Sequence, residues 1–191
     1  FSNKHRLLII PSGELMGDEN SEIIKQALEQ FVASGNTLLV LSQQYNSHIE
    51  NLIPIPEGET LKTYGWRQDQ SCYFGSTYFE EMHPILSSSN SELVTAAIDG
   101  YCEIPNSSAA VLSYRTKNRE VAMLYYPYKA GYVFLTFSFT DFSYFHSQAT
   151  RSELNIFRDL ISYAKNPHIP IKMYDLALDS NPDIELNVKI R

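Results

Sequence analysis

Four short stretches carry side chains able to do chemistry. Ser42 stands where the apolar run Thr37–Leu41 ends, with Gln43 and Gln44 next. A serine there acts as a nucleophile only when a strained strand-to-helix turn projects it, and such a turn needs small neighbours. Val40 and Gln44 occupy the positions that G-x-S-x-G fills with glycine, which favours an ordinary turn serine. Asp141 and His146 follow a later apolar run, Tyr132–Phe139. A carboxylate beside an imidazole can do general base work. The plainer alternative is a turn aspartate and a histidine near the start of a helix, where such residues are common. Glu14 follows Pro11-Ser12-Gly13 at the end of the run Leu7–Ile10. The fourth stretch is Trp66-Arg67-Gln68-Asp69-Gln70, with Tyr64, Tyr73 and Tyr78 nearby. Rings that stack on sugar faces and amides that bond hydroxyls suit a carbohydrate or a small polar ligand. Trp, Tyr and Arg equally anchor protein interfaces, and a folded-over loop filling a satellite core is a third reading. The catalytic candidates are therefore Ser42, Asp141 and His146. The ligand-binding candidates are Glu14, Tyr64, Trp66, Asp69 and Asp141.

No metal or cofactor is expected. His5, His48, His83, His146 and His168 are scattered and form neither H-x-H nor H-E-x-x-H. No G-x-G-x-x-G or Walker pattern occurs.

The elements that must position these residues follow from hydrophobic spacing. Leu7–Ile10 and Thr37–Leu41 are short continuous apolar runs, the mark of strands buried on both faces. Between them Ile23, Ile24, Ala27, Leu28, Phe31 and Val32 recur at helical spacing. Asp18 or Ser21 can cap that helix, and Gly35 is a natural stop. Strand, helix and strand in this order make a βαβ unit with parallel strands. A ligand in such a sheet binds outside the carboxyl ends of the strands, which gathers Glu14, Ser42, Asp141 and His146 at one mouth. Residues 43–108 are broken by Pro54, Pro56, Gly58, Gly65, Gly75 and Pro84. They are expected to form loops and short strands, with one short helix near Ser91–Ala97. Such an insertion often carries the functional surface. Ala109–Arg115, Val121–Tyr126 and Tyr132–Phe139 read as strands, with turns at Thr116–Glu120 and Ala130-Gly131. Thr150-Arg151-Ser152-Glu153 matches a capping box, in which Glu153 reaches back to the cap. Leu154, Phe157, Ile161 and Ala164 then make a helical stripe that Asn166-Pro167 ends. In the tail Ile184, Leu186, Val188 and Ile190 alternate with polar residues, as in a half-buried strand.

Composition bounds the rest. The chain has 191 residues, enough to bury a core without disulfides or metal. A net charge of −7 argues against a nucleic-acid partner, which needs a basic face. No run reaches the roughly 18 apolar residues of a membrane helix. Two cysteines, Cys72 and Cys102, are no disulfide framework; one disulfide or two buried thiols fit equally. They leave the compartment open, with an extracytoplasmic setting favoured over a cytoplasmic one. The 13 Tyr and 10 Phe crowd into Tyr64–Phe79 and Tyr125–Phe145, where strand and core packing accounts for most of them.

Two stretches, His5–Tyr45 and Gly131–Ala164, resemble a class I glutamine amidotransferase-like domain. The variant is the non-catalytic kind found in multidomain proteins, similar to the trimerisation domain of some β-galactosidases. In that superfamily one strand ends in a Pro-Gly-like turn, here Pro11-Ser12-Gly13. A helix then ends in a Val-x-x-Gly-Gly-like turn, here Val32-Ala33-Ser34-Gly35-Asn36, before the strand that leads to the nucleophile elbow. Active relatives place a cysteine at that elbow and bring up a histidine and an acid from a late loop. Here Ser42 stands at the elbow, and Asp141 and His146 match the late loop only in placement.

These readings give an α/β fold, a flavodoxin-like three-layer sandwich with a mostly parallel sheet and a β-rich second half. Residues 1–166 form the amidotransferase-like domain, and 167–191 form a linker and the first strand of a following β-type domain. The resemblance places the family's opening βα unit before Phe1, so the chain reads as a piece of a larger bacterial protein. The expected role is assembly, domain packing or carbohydrate-related binding, with other domains of the parent chain as partners. The alternatives are a divergent hydrolase using Asp141 and His146, and a pure protein-interaction module.

Overall fold

The computed structural model describes residues 6–44, 47–66, 75–79, 83–86, 93–104, 108–115 and 119–165. The opening unit is β1 (Leu7–Ile10), helix α1 (Glu22–Ala33) and β2 (Thr37–Val40). β1 pairs with β2 in parallel, Leu7 opposite Thr37 and Ile10 opposite Val40. Ser21 is the cap of α1, its hydroxyl accepting from Ile24 N, and the helix stops at Ser34 before Gly35. Leu28, Phe31 and Val32 are its buried residues, while Ile23 is 82% exposed, so the stripe is narrower than its spacing suggests.

The insertion supplies β3 (Lys62–Tyr64), β4 (Gly75–Tyr78), β5 (Leu93–Ala96) and β6 (Tyr101–Glu103). Leu93–Ala96 is a strand and not the expected helix. Its backbone pairs antiparallel with β4, from Leu93 opposite Tyr78 to Ala96 opposite Gly75, and the β-branched pair Val94-Thr95 suits that geometry. β7 (Ala110–Arg115), β8 (Val121–Tyr128) and β9 (Gly131–Thr136) match the three later strands. The tip of the β7–β8 connection, residues 116–118, lies outside the described residues, as do Cys72 and the tail from 166 onward.

The strand order β1-β2-β9-β8-β7-β4-β5 corrects the expectation of a mostly parallel sheet. β2 and β9 are parallel, but β9–β8, β8–β7, β7–β4 and β4–β5 are antiparallel. The reason is local. A tight hairpin joins β8 to β9, and a hairpin can only return the chain antiparallel. β6 pairs with Val121 beyond the end of β9 and carries β3 on its other edge. The result is an α/β fold on a mixed sheet.

Alternation along the strands divides the core. Leu38, Val40, Val133 and Leu135 face α1, with Ile49, Leu52 and Ile53 of the insertion beside them. Leu39, Leu41, Phe134 and Met123 face the opposite helix, α3 (Arg151–Ala164). Of the expected stripe Leu154, Phe157, Ile161 and Ala164, α3 fully buries only Ala164; Ile156 and Leu160, one step round, are the other buried apolar residues. Thr150 caps α3 as expected, accepting from Glu153 N at 3.1 Å. The Glu153 side chain does not complete the box. It is buried, and its Oε1 accepts from Ser143 Oγ at 3.1 Å.

Two packing details give measurable consequences. A Cβ on Gly131 would lie 2.2 Å from Asn36 O and 2.3 Å from Val32 O, backbone atoms that cannot swing aside. Gly131→Ala is expected to cost about 2 kcal/mol, lowering Tm on the order of 4–8 °C; an unchanged Tm would show that the β8–β9 hairpin and α1 are not packed this closely. His83 packs edge-on against Tyr125 and Tyr163. Its Nδ1 accepts from Ile85 N at 3.2 Å, which leaves Nε2–H to face the Tyr125 hydroxyl at 3.3 Å. Burial pushes its pKa below the ordinary 6.5. The unfolded chain then takes up the proton more readily than the folded one. Stability is therefore full above 6.5 and falls as pH drops through the lower folded value. Urea midpoints of wild type and His83→Leu should differ less at pH 5 than at pH 7.5; a gap that widens in acid would contradict this assignment.

Candidate functional site

The carboxyl ends of β1, β2 and β9 lie side by side, and the chain leaves each through a loop. These exits hold Ser12 and Glu14, Ser42 and Gln43, and Ser138 to Asp141. The three are laced together by backbone bonds. Leu41 N donates to Ile10 O, Gly13 N to Ser42 O, and Ser42 N to Ser138 O.

Gln43 is the hub, and its role was not read from the sequence. Its buried side-chain Oε1 accepts from Leu15 N at 2.9 Å, and its Nε2 donates to Pro11 O and Leu41 O, each at 2.8 Å. The Gln43 carbonyl accepts from Trp66 N at 2.9 Å, and Gln44 bridges Trp66 in parallel. Gly65 makes that approach feasible, since a Cβ there would sit 2.0 Å from Gln43 O. The only sequence signal for Gln43 was its place directly after a buried strand, where loose backbone groups need partners.

Ser42 is 0% exposed, and its Oγ is buried with no hydrogen-bond partner among the described residues. Asp141 lies on a short helix, α2 (Thr140–Phe145), where a loop was expected. Its carboxylate accepts from Ser12 N at 2.9 Å and from Ser12 Oγ at 2.7 Å. Such charge-assisted bonds tie the exit of β1 to the exit of β9. His146 caps the other end of α2. It is exposed, and its ring lies 4.3 Å from that of Phe142 and 5.2 Å from that of Phe145. Asp141 and Ser42 thus share the mouth, while His146 leans on the aromatic surface of α2.

Glu14 is exposed on the loop after β1. Trp66 is half-buried. Its ring lies 3.7 Å from the place a Cβ of Gly13 would take, and its Nε1 is buried without a partner among the described residues. It lines the same mouth. Tyr64 stands two residues earlier, stacked on Tyr101 across the β3–β6 pair at 4.5 Å. Lys62 Nζ lies 4.9 Å over the Tyr64 ring, and the hydrogen bond with that tyrosine raises the Lys62 pKa. Asp69 lies outside the described residues. Among the described residues no His, Cys, Asp and Glu cluster could hold a metal ion, and no helix is long and apolar enough to cross a membrane.

The mouth is an exit of three strands drawn shut by side chains, with acidic Glu14 and Asp141 at its rim. Solved structures that share the fold include these three. A GMP synthase subunit-like protein from Thermoplasma acidophilum has a TM-score of 0.54 at 12% identity, over 85% of this chain and 74% of that one. A cytoplasmic protein from Salmonella typhimurium has a TM-score of 0.52 at 12% identity, over 84% and 72%. A β-galactosidase from Rahnella sp. R3 has a TM-score of 0.50 at 15% identity, over 85% of this chain but only 23% of that enzyme. The likeness is one of fold, and it is consistent with the glutamine amidotransferase-like fold that the sequence resembles. No family model matches the chain, and no curated protein matches it.

The lacing makes a ranked prediction. Gln43→Leu strands Leu15 N–H and two carbonyls in a dry place and should cost about 3 kcal/mol. Asp141→Asn loses the charge but keeps one oxygen to accept from Ser12 N, while its Nδ2 can donate to Ser12 Oγ, so it should cost about 1 kcal/mol. Urea unfolding of both variants tests the order; a larger loss for Asp141→Asn would overturn the assignment of Gln43 as the hub.

Proposed function

We propose that the chain is a non-catalytic amidotransferase-like domain that serves assembly and domain packing inside a larger bacterial, extracytoplasmic protein. Ser42 carries the reading. The position that must present a nucleophile holds a hydroxyl buried away from solvent, and Gln43 fills the space behind it. A nucleophile needs an exposed projection and a base within hydrogen-bond reach. The nearby carboxylate, Asp141, is engaged by Ser12.

Packing is preferred to sugar binding because of α2. Phe142, Tyr144 and Phe145 are 42%, 67% and 82% exposed, beside the mouth and next to His146. Adjacent exposed aromatic side chains mark contact surfaces and are enriched where proteins meet.

Hydrogen exchange of the α2 amides tests the proposal. It is to be measured in this 191-residue chain and in the longest natural polypeptide that contains it. Exchange at least tenfold slower in the longer protein is expected; equal exchange would defeat the packing role. Turnover of an amide, ester or glycoside substrate that disappears in Ser42→Ala or His146→Ala would defeat the non-catalytic role.

A further inference from the structure

A cavity of about 20 Å³ lies between α3 and the sheet, bordered on one side by Ser138 and Thr140 from the exit of β9. Thr77, Ser113, Thr136, Ser138, Thr140 and Glu153 supply its polar lining, and no lysine, arginine or histidine among the described residues lines it. Glu153 is 2% exposed. Its Oε1 is engaged by Ser143 Oγ, but its Oε2 is buried with no partner among the described residues. Ser113, equally buried, has an Oγ in the same condition.

A buried carboxylate oxygen without a donor or a counter-charge is costly. A glutamate that only capped its helix would sit in solvent at the first turn. This one is turned inward to a space with room for a single water-sized occupant. The donors around that space are carboxylate and hydroxyl oxygens, the set that hard cations prefer. One carboxylate balances one positive charge. We propose that this cavity binds a single small monovalent cation, held by Glu153 Oε2 and Ser113 Oγ.

The test is thermal unfolding of the full chain in sodium, potassium, ammonium or tetramethylammonium chloride at constant ionic strength. Tetramethylammonium is too large for the cavity and reports the general salt effect. At least one small cation should raise Tm saturably, by roughly 3–5 °C at ten times its Kd. Glu153→Gln keeps an acceptor for Ser143 and removes the charge. It should melt at or above wild type in tetramethylammonium and below it in the stabilising cation. If wild type and Glu153→Gln respond alike to all four salts, the cavity holds only water and the proposal falls. If Glu153→Gln does not fold, Ser113→Ala decides. A cation midpoint raised about tenfold supports the site, and an unchanged midpoint overturns it.

Discussion

Parallel strands that end together in a dry interior leave backbone groups that neither water nor a neighbouring ladder can satisfy. In this protein one amide side chain meets that requirement. Gln43 accepts from the β1 loop and donates to carbonyls at the ends of both β1 and β2. Its own carbonyl receives Trp66. The rest of the mouth depends on this arrangement. With Gln43 turned into the crevice, Ser42 is pressed into the core, the insertion is drawn over the strand ends, and Asp141 is left to hold the β1 loop through Ser12.

The first half of the fold was legible because burial on both faces leaves continuous apolar runs. Both runs form strands, Thr37–Val40 fully buried in the sheet interior and Leu7–Ile10 half-buried at its edge. The later strands β7, β8 and β9 were each legible, yet the sheet was given the wrong character. The βαβ unit suggested a parallel sheet, while the turn at Ala130-Gly131 already implied a reversal. Leu93–Ala96 was missed because a short apolar run has no period that separates helix from strand. α2 was missed because Thr140–Phe145 has aromatic residues with no apolar stripe, and most of them stay in solvent.

The strand exits were legible in the sequence, and the contacts made at them were not. Glu14 and Ser42 do lie on the segments that leave β1 and β2, while Asp141 lies on α2 just beyond β9. Their partners follow from which way each side chain turns, which spacing does not record. Glu153 shows the same limit. Its position after Thr150 matched a cap, and the cap forms through its backbone N–H. The side chain goes elsewhere because α3 is rotated one residue further onto the sheet than its apolar spacing implies, carrying position 153 inward with Ile156 and Leu160.

Cys102 lies in the middle of β6, free and buried, opposite Thr63 on β3 and Val121 on β8. Burial pushes its thiol well above the usual range, with the nearby Glu103 adding to the effect. Alkylation proceeds through the thiolate, so the native thiol is shielded twice, by access and by protonation. Its labelling rate then becomes an internal clock for the opening of the β3–β6–β8 junction, read from a natural atom at the seam between the insertion and the main sheet. If that seam parts before the rest of the sheet, Cys102 will react faster than global unfolding allows, and the insertion will have declared itself a separate unit of cooperativity.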